Sequence, residues 1–352
     1  MNFFPSNLWL LAVVIALSLG AVAQDEPIQP PRSSQVPRPP SAQAPSSVPK
    51  PPDARTSESG QSSDPLEPSN DAGIFVFRKQ VQEVILHATV VDNERRLVTN
   101  LQKGAFTVYE DNRPQVITAF RREDVPVALG IVVDNSGSMQ EKRAKVNQAV
   151  LNLVHDSNPD DEVFVVNFGE DYYLDQDFTN NVSLVRAALQ QENPMKGKTA
   201  LYDAIVASAA HLKGSARLEK KVLLVITDGQ DNASQETLRE AAHRLQQQNG
   251  PVLYAIGITG TTDRRPAGED PLATLAASTG GVAFFPQTTD EIAGISRTIA
   301  RDIRSQFILG YKSDNPSSGG GYRNIKVDAT APGAGPVTVR TRSGYIPGQP
   351  IQ

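Results

Sequence analysis

Residues 127–139 read Val-Ala-Leu-Gly-Ile-Val-Val-Asp-Asn-Ser-Gly-Ser-Met, and the fold can be worked out from this stretch. Its first seven residues are an uninterrupted apolar run, which is typical of a strand buried on both faces of a sheet. The run ends at Asp134, and Ser136 and Ser138 follow two and four positions later. This spacing places three oxygen donors around one point beyond the carboxyl end of a strand, where open α/β sheets bind ligands.

Strands and helices alternate along the chain on both sides of this stretch. Apolar runs at 163–168, 221–227 and 252–258 predict buried strands, and 172–178 predicts an edge strand. Between the strands, apolar residues recur every three or four positions, which predicts helices. We expect helices near 146–154, 184–189, 200–212, 237–248, 272–278 and 291–304. The alternation predicts a doubly wound, mostly parallel α/β sheet over residues 125–305.

Two more oxygen donors lie where such a sheet would bring them near Asp134. Thr199 immediately precedes a predicted helix, and Asp228 ends the apolar strand at 221–227. With Ser136 and Ser138, these side chains can surround one hexacoordinate ion. Oxygen donors without sulfur or imidazole suit Mg²⁺ or Mn²⁺. Because few of the donors are charged, the cation stays electrophilic and is expected to keep waters or to accept a carboxylate from outside.

The Asp-x-Ser-x-Ser sequence, the later Thr before a helix and Thr227-Asp228-Gly229 together resemble the metal-ion-dependent adhesion site (MIDAS) of von Willebrand factor type A domains. The resemblance covers roughly residues 125–305 and implies a Rossmann-like fold. It also implies that Asp134, Ser136 and Ser138 bind the metal directly and that Thr199 and Asp228 bind it directly or through water. In such domains an Asp or Glu of a protein partner commonly completes the metal shell.

Several neighbours of these donors are candidate contacts or supports. Asn135, Lys198 and Gly229 adjoin the metal ligands and are candidate partner contacts around the metal. Lys198, with Lys196, would steer an acidic ligand towards the metal, although a solvated loop charge is the interpretation that we favour. Asp231 is expected to cap the helix that follows it, with a hydrogen-bond acceptor behind the metal ligand Asp228 as the alternative.

The regions that flank residues 125–305 alternate in the manner of strands, without helices. We propose from this pattern that residues 74–124 and 306–346 are two halves of one β-sandwich, with the α/β domain between them and a tail at 347–352. Four flanking stretches are similar to secreted bacterial proteins of the acidobacterial von Willebrand factor A-related group: Val98–Asp111, Ile117–Val125, Arg304–Tyr311 and Ser343–Tyr345. That resemblance implies no specific ligand.

The N-terminus has the composition of an export signal. Leu8–Leu19 is apolar, and Ala21-Val22-Ala23 is a small-x-small cleavage site, so residues 1–23 are expected to be a signal peptide. If the signal is not cleaved, it is a membrane anchor, although the apolar stretch is shorter than the roughly 20 residues that span a bilayer. Residues 24–73 are rich in Pro and Ser, which predicts a disordered linker. We expect a secreted, periplasmic or cell-envelope protein without a membrane span after cleavage.

Composition excludes several classes of function. A net charge of −5 argues against nucleic-acid binding. The absence of cysteine excludes disulfides and thiolate zinc sites, and the four histidines lack the spacing of a zinc hydrolase. A phosphatase of the haloacid dehalogenase type would need a second Asp where Ser136 stands, so we expect no enzyme. The remaining alternative is a structural or assembly protein of the cell envelope, in which the β-sandwich binds the partner and the α/β domain is a scaffold.

Overall fold

The computed structural model describes residues 83–122, 124–191, 197–258, 270–315, 321–333 and 335–348. The chain divides into two compact units, Met1–Ile74 and Phe75–Gln352, and all of the described residues belong to the second. The expected signal peptide, the linker, residues 74–82, Lys196 and the last four residues of the tail therefore lie outside the described residues.

A six-stranded sheet forms the centre of the second unit, in the order β10-β9-β8-β5-β6-β7. All of its neighbouring strands are parallel except β7, which pairs antiparallel with β6 at the edge. Its strands are β5 (Val127–Asp134), β6 (Glu162–Phe168), β7 (Tyr172–Thr179), β8 (Lys220–Thr227), β9 (Val252–Gly257) and β10 (Ala283–Phe284).

Six helices cover the two faces of this sheet. They are α1 (Arg143–His155), α2 (Val182–Leu189), α3 (Leu201–Ser215), α4 (Leu238–Leu245), α5 (Pro271–Thr279) and α6 (Ile292–Arg304). Helices α1, α2 and α6 pack on one face, and α3, α4 and α5 pack on the other. None of the helices in the described part of the chain combines the length and the apolarity that a membrane span requires.

Strand β5 shows why the apolar run is continuous. Val127, Leu129, Ile131 and Val133 point into one helical layer, whereas Ala128 and Val132 point into the other, so every position is buried. At Gly130 a Cβ atom would come within 2.4 Å of the Phe164 ring, so only glycine fits there without rearrangement. Burial on both faces makes β5 the rigid support of the residues that follow it.

Two antiparallel four-stranded sheets pack together beside the α/β part. One has the order β13-β1-β11-β4 and the other β14-β12-β2-β3. Their strands are β1 (Glu83–Asp92), β2 (Phe106–Glu110), β3 (Arg113–Gln115), β4 (Ile117–Arg121), β11 (Phe307–Lys312), β12 (Arg323–Ala329), β13 (Val337–Arg340) and β14 (Gly344–Tyr345). Both sheets contribute to one apolar core, and each contains strands from before and after the α/β part.

The fold class predicted from the sequence is confirmed, and some elements differ in detail. Asp111 and Asn112 form the turn between β2 and β3 with positive φ angles, and β3 begins at the next residue. The expected helix at 237–248 ends at Leu245. In the described part of the chain, the last strand, β14, is only two residues long.

Candidate metal centre

Asp134 is the last residue of β5 and is fully buried. The backbone N–H of Ser136 donates to its Oδ1 at 2.8 Å, and the Thr227 hydroxyl donates to its Oδ2 at 2.6 Å. Thr227 ends β8, the strand next to β5, so the two parallel strands bring their terminal side chains together. The carboxylate is therefore held in one orientation by groups from both strands.

The serine hydroxyls connect Asp134 to the second carboxylate. A 3₁₀ turn, Gly137–Met139, follows β5, and the Met139 side chain at its end is fully buried. The Ser136 and Ser138 hydroxyls lie 3.1 Å apart, and the Ser138 hydroxyl donates to Asp228 Oδ1 at 2.8 Å. Four of the five proposed metal ligands thus form one chain of hydrogen bonds.

Thr199 reaches the same place from the loop before α3. Its backbone N–H donates to the Asn232 side chain at 2.8 Å, and the Asn232 N–H donates back to the Thr199 carbonyl at 3.0 Å. A Cβ built on Gly229 would lie 3.3 Å from Thr199 Oγ1 and 3.8 Å from Asp134 Oδ2. The absence of a side chain at Gly229 therefore leaves room beside Thr199 Oγ1 and Asp134 Oδ2, and a larger residue at this position would fill that room.

The other candidate contacts differ in their position. Asn135 is buried, and its backbone N–H donates to the Phe168 carbonyl at 2.6 Å. Lys198 is exposed, and no ion pair with another described residue is recorded for it. Asp231 does not cap the helix that follows it. It accepts the N–H groups of Leu201 and Tyr202 at the start of α3, whereas Thr237 caps α4, so that expectation was wrong.

Two basic residues at the start of α1 belong to the site and were missed in the sequence. The Lys142 ammonium forms an ion pair with Asp228 Oδ2. Arg143 donates to the Asp134 carbonyl at 3.2 Å and to the Leu189 carbonyl at 3.0 Å, which fixes the end of β5 against α2. Cations are unfavourable at a helix N-terminus, so a basic pair at this position was a signal that acidic partners lie nearby.

The electrostatics of the site favour a cation. Burial raises the pKa of the Asp134 carboxyl, and the nearby Asp228 charge acts in the same direction, whereas hydrogen bonds from Thr227 and Ser136 lower it. Two carboxylates and three hydroxyls converge, without sulfur or imidazole. Among the described residues no cluster of three or more His, Cys, Asp or Glu offers another metal site. The donor set fits a hard divalent cation such as Mg²⁺ or Mn²⁺.

Comparisons with known proteins agree with this geometry at the level of the family. The sequence model of the von Willebrand factor type A domain matches residues 129–298. No curated protein sequence matches the chain.

Several solved structures are similar to part of the chain. One is proximal thread matrix protein 1 from the mussel byssus, with a zinc-occupied MIDAS motif (17% identity, 55% of this chain, 50% of that chain, TM-score 0.43). Another is BatB from Bacteroides thetaiotaomicron (19% identity, 51% of this chain, 100% of that chain, TM-score 0.40). A third is the von Willebrand factor domain of a type V pilus tip protein from Porphyromonas gingivalis (13% identity, 51% of this chain, 95% of that chain, TM-score 0.41). The matched region spans about half the length of the mussel proteins.

Proposed function

The chain carries a von Willebrand factor type A domain over residues 129–298, and from this premise we propose that it is an exported, non-enzymatic module that binds a protein partner through a divalent metal ion. Asp134, Ser136, Ser138, Thr199 and Asp228 hold Mg²⁺ or Mn²⁺ in this proposal. A carboxylate of an Asp or Glu on the partner completes the metal shell.

The observation that carries this proposal is the linked set of oxygens at the carboxyl edge of the sheet. Asp134 is oriented by Ser136 and Thr227, and Ser138 bridges to Asp228 at 2.8 Å. A bound cation supplies a Lewis-acidic position for an incoming carboxylate oxygen. Three of the five proposed ligands are neutral hydroxyls, and one of the two carboxylates, Asp228, is already paired with the Lys142 ammonium. The bound ion therefore keeps part of its positive charge for the incoming carboxylate. The exposed ammonium of Lys198 adds attraction for an acidic partner during approach.

The absence of catalytic activity is part of the proposal. A serine nucleophile needs a neighbouring base that is free to take its proton. Ser138 donates to Asp228, but that carboxylate is already paired with the Lys142 ammonium. The four histidines have other surroundings: His155 and His211 lie against Asp156 and Asp177, His87 lies on β1, and His243 lies in the last turn of α4. The proposal of export rests on the sequence of residues 1–23. If that signal is not cleaved, the Pro- and Ser-rich segment would separate the α/β domain from the membrane.

The test is calorimetric titration of Mg²⁺ and of Mn²⁺ into the full chain and its Asp134→Ala variant. We expect saturable binding that is lost in Asp134→Ala, because the variant removes the most constrained carboxylate of the site. Asp328→Ala is the matched control, since Asp328 is an exposed carboxylate on β12. A wild-type chain that binds neither ion would contradict the metal site and would favour the β-sandwich as the partner-binding surface.

Partner binding is tested separately from metal binding. Once a partner has been captured, Asp134→Ala should abolish its binding and EDTA should have the same effect on the wild-type chain. Binding that survives both treatments would mean that the α/β domain acts as a scaffold.

A further inference from the structure

A cavity of about 540 Å³ lies at the opposite edge of the parallel sheet from the metal centre. Ile85, His87 and Ile308 from the antiparallel sheet line one side of it, and Lys220 and Val252 at the amino ends of β8 and β9 line the other. We call it the junction cavity. The seven residue steps of β8 separate it from Thr227 by roughly 23 Å, so a ligand here would not touch the metal ligands.

The lining of the junction cavity is strongly basic. Among the described residues, the basic side chains that line it are Arg121, Arg217, Lys220, Lys221 and Arg342. The acidic lining residue is Glu219, which is exposed and lies 3.8 Å from Arg121 at the rim. The cavity thus has a large excess of positive charge in a chain whose net charge is negative.

Lys220 is buried, and its ammonium forms no ion pair with a carboxylate of the described residues. Its ammonium donates to the Ile303 carbonyl, and burial, followed by the charge of Arg304, lowers its pKa to about 8. The carboxylates that attract it most are already paired with arginines, as Asp124 and Asp161 are with Arg304 and Asp302 is with Arg340. A buried charge that lacks its own counter-ion is costly, and an anion in the cavity would reduce that cost.

Arg342 is the second buried cation of the cavity. It is 7% exposed, and its guanidinium donates to the carbonyls of Leu245, Gln247 and Gly250 at 3.3–3.4 Å. Within the described residues no carboxylate pairs with it, and burial lowers its pKa to about 10. Carbonyl oxygens satisfy its hydrogen bonds without neutralising its charge.

His87 contributes a neutral polar group beside these cations. Its ring lines the cavity, and its Nδ1 is buried with no hydrogen-bond partner among the described residues. Burial, together with the charges of Lys220 and Arg342, lowers the pKa of His87 to about 3. The ring is therefore neutral near pH 7 and has one N–H to donate.

We propose that the junction cavity binds a small organic anion, with its carboxylate or phosphate group held by His87, Lys220 and Arg342. Ile85, Val252 and Ile308 form an aliphatic wall for the apolar body of the ligand. Two buried cations without carboxylate partners and an unsatisfied imidazole nitrogen meet in one cavity, and an oxyanion satisfies all three. This site is independent of the proposed metal-dependent binding.

The test compares phenyl phosphate and benzoate, which share an apolar body and differ in the charged group. Each is titrated into the full chain by calorimetry in the presence of EDTA, so that neither can bind through a divalent ion. We expect saturable binding of at least one of them, at least tenfold weaker in Lys220→Met and unchanged in Lys312→Met. Lys312 is an exposed lysine at the end of β11 and lies outside the cavity. Benzyl alcohol, the uncharged analogue, should not bind.

A second measurement keeps the test valid if Lys220→Met fails to fold. Because the chain has four histidines, the imidazole signals of the wild-type protein can be assigned by NMR. The bound anion should shift the signals of His87 and leave those of the exposed His155 unchanged. Absence of saturable binding by both anions, equal affinity in a folded Lys220→Met, or binding that leaves His87 unshifted would each overturn the proposal.

Discussion

At the scale of single residues, Lys142 changes the chemistry of the metal centre. Its ammonium pairs with Asp228, one of the two carboxylates proposed to hold the cation. The Asp228 side chain is almost fully buried, whereas that of Lys142 is 30% exposed. An internal cation thus already compensates the carboxylate that the divalent ion would use. The lysine can swing into solvent, because its long side chain is partly exposed.

We expect Lys142→Met to bind Mn²⁺ about fivefold more tightly than the wild-type chain. The reason is that the ion no longer displaces a paired ammonium, a contribution of about 1 kcal/mol for a partly exposed ion pair. Calorimetric titration of both proteins at one ionic strength measures the difference. Lys145→Met is the matched control, since Lys145 lies on α1 close to Lys142 and pairs with Asp290, which is exposed and lies just before α6. Unchanged or weaker affinity in Lys142→Met would show that the lysine does not compete with the metal.

At the scale of elements, the C-terminal end of α6 is tied to the antiparallel sheet. Arg340 of β13 donates to both carboxylate oxygens of Asp302 at 2.9–3.0 Å, and the Tyr254 hydroxyl donates to the same carboxylate at 3.1 Å. Arg304, the last residue of α6, pairs with Asp161 and Asp124. These contacts join α6 to β13 of the antiparallel sheet and to β9 of the parallel sheet.

We expect Arg340→Met to lower the free energy of unfolding by about 2 kcal/mol, because Asp302 stays buried without its charged partner. This is below the range for fully buried pairs, since part of the Arg340 side chain is exposed. Urea unfolding measures the change. The double variant with Asp302→Asn should recover part of the loss, because it removes the uncompensated charge. Lys326→Met, which breaks an exposed pair, should leave the stability unchanged. Equal stability of Arg340→Met and the wild type would show that this contact does not hold α6.

The elements also show where reasoning from the sequence succeeds. The continuous apolar runs predicted the central strands because burial on both faces requires them. The three- and four-residue spacing predicted the helices for a similar reason. Ion pairs between distant residues, such as Lys142 with Asp228 and Arg340 with Asp302, leave no periodic trace, so they were missed. Asp231 was assigned to the wrong helix because its spacing in sequence says nothing about α3, which precedes it by many residues.

At the scale of the whole molecule, the α/β part and the antiparallel sheets share backbone hydrogen bonds as well as ion pairs. The Ile346 N–H donates to the Gln246 carbonyl at 2.9 Å, and the Gln248 N–H donates to the Ile346 carbonyl at 3.0 Å. The Ser343 N–H donates to the Ser278 carbonyl at 3.1 Å. The end of the described chain is thereby fixed to the loop after α4 and to the last turn of α5.

We expect residues 83–348 to unfold in one cooperative thermal transition. If either part unfolded alone, it would expose these hydrogen bonds and leave Asp302 and Arg342 without their partners across the junction. Scanning calorimetry checks this, because the van't Hoff and calorimetric enthalpies should then agree. Two resolved transitions would mean that the parts fold independently and that the junction contributes little to stability.

The pairing of β4 with β11 has a consequence for the ancestry of the molecule. These strands are antiparallel neighbours, and Arg121, where the chain leaves the sheet, lies opposite Ile308, just after the chain returns. The whole α/β part therefore occupies the place of a hairpin turn. Its two ends meet, so a recombination event can insert a part of this kind while the surrounding strands keep their register. Replacing residues 122–306 with a two-residue turn would keep the pairing of β4 with β11 and the order of the eight strands, and would leave Arg340 and Arg342 without their partners in the α/β part.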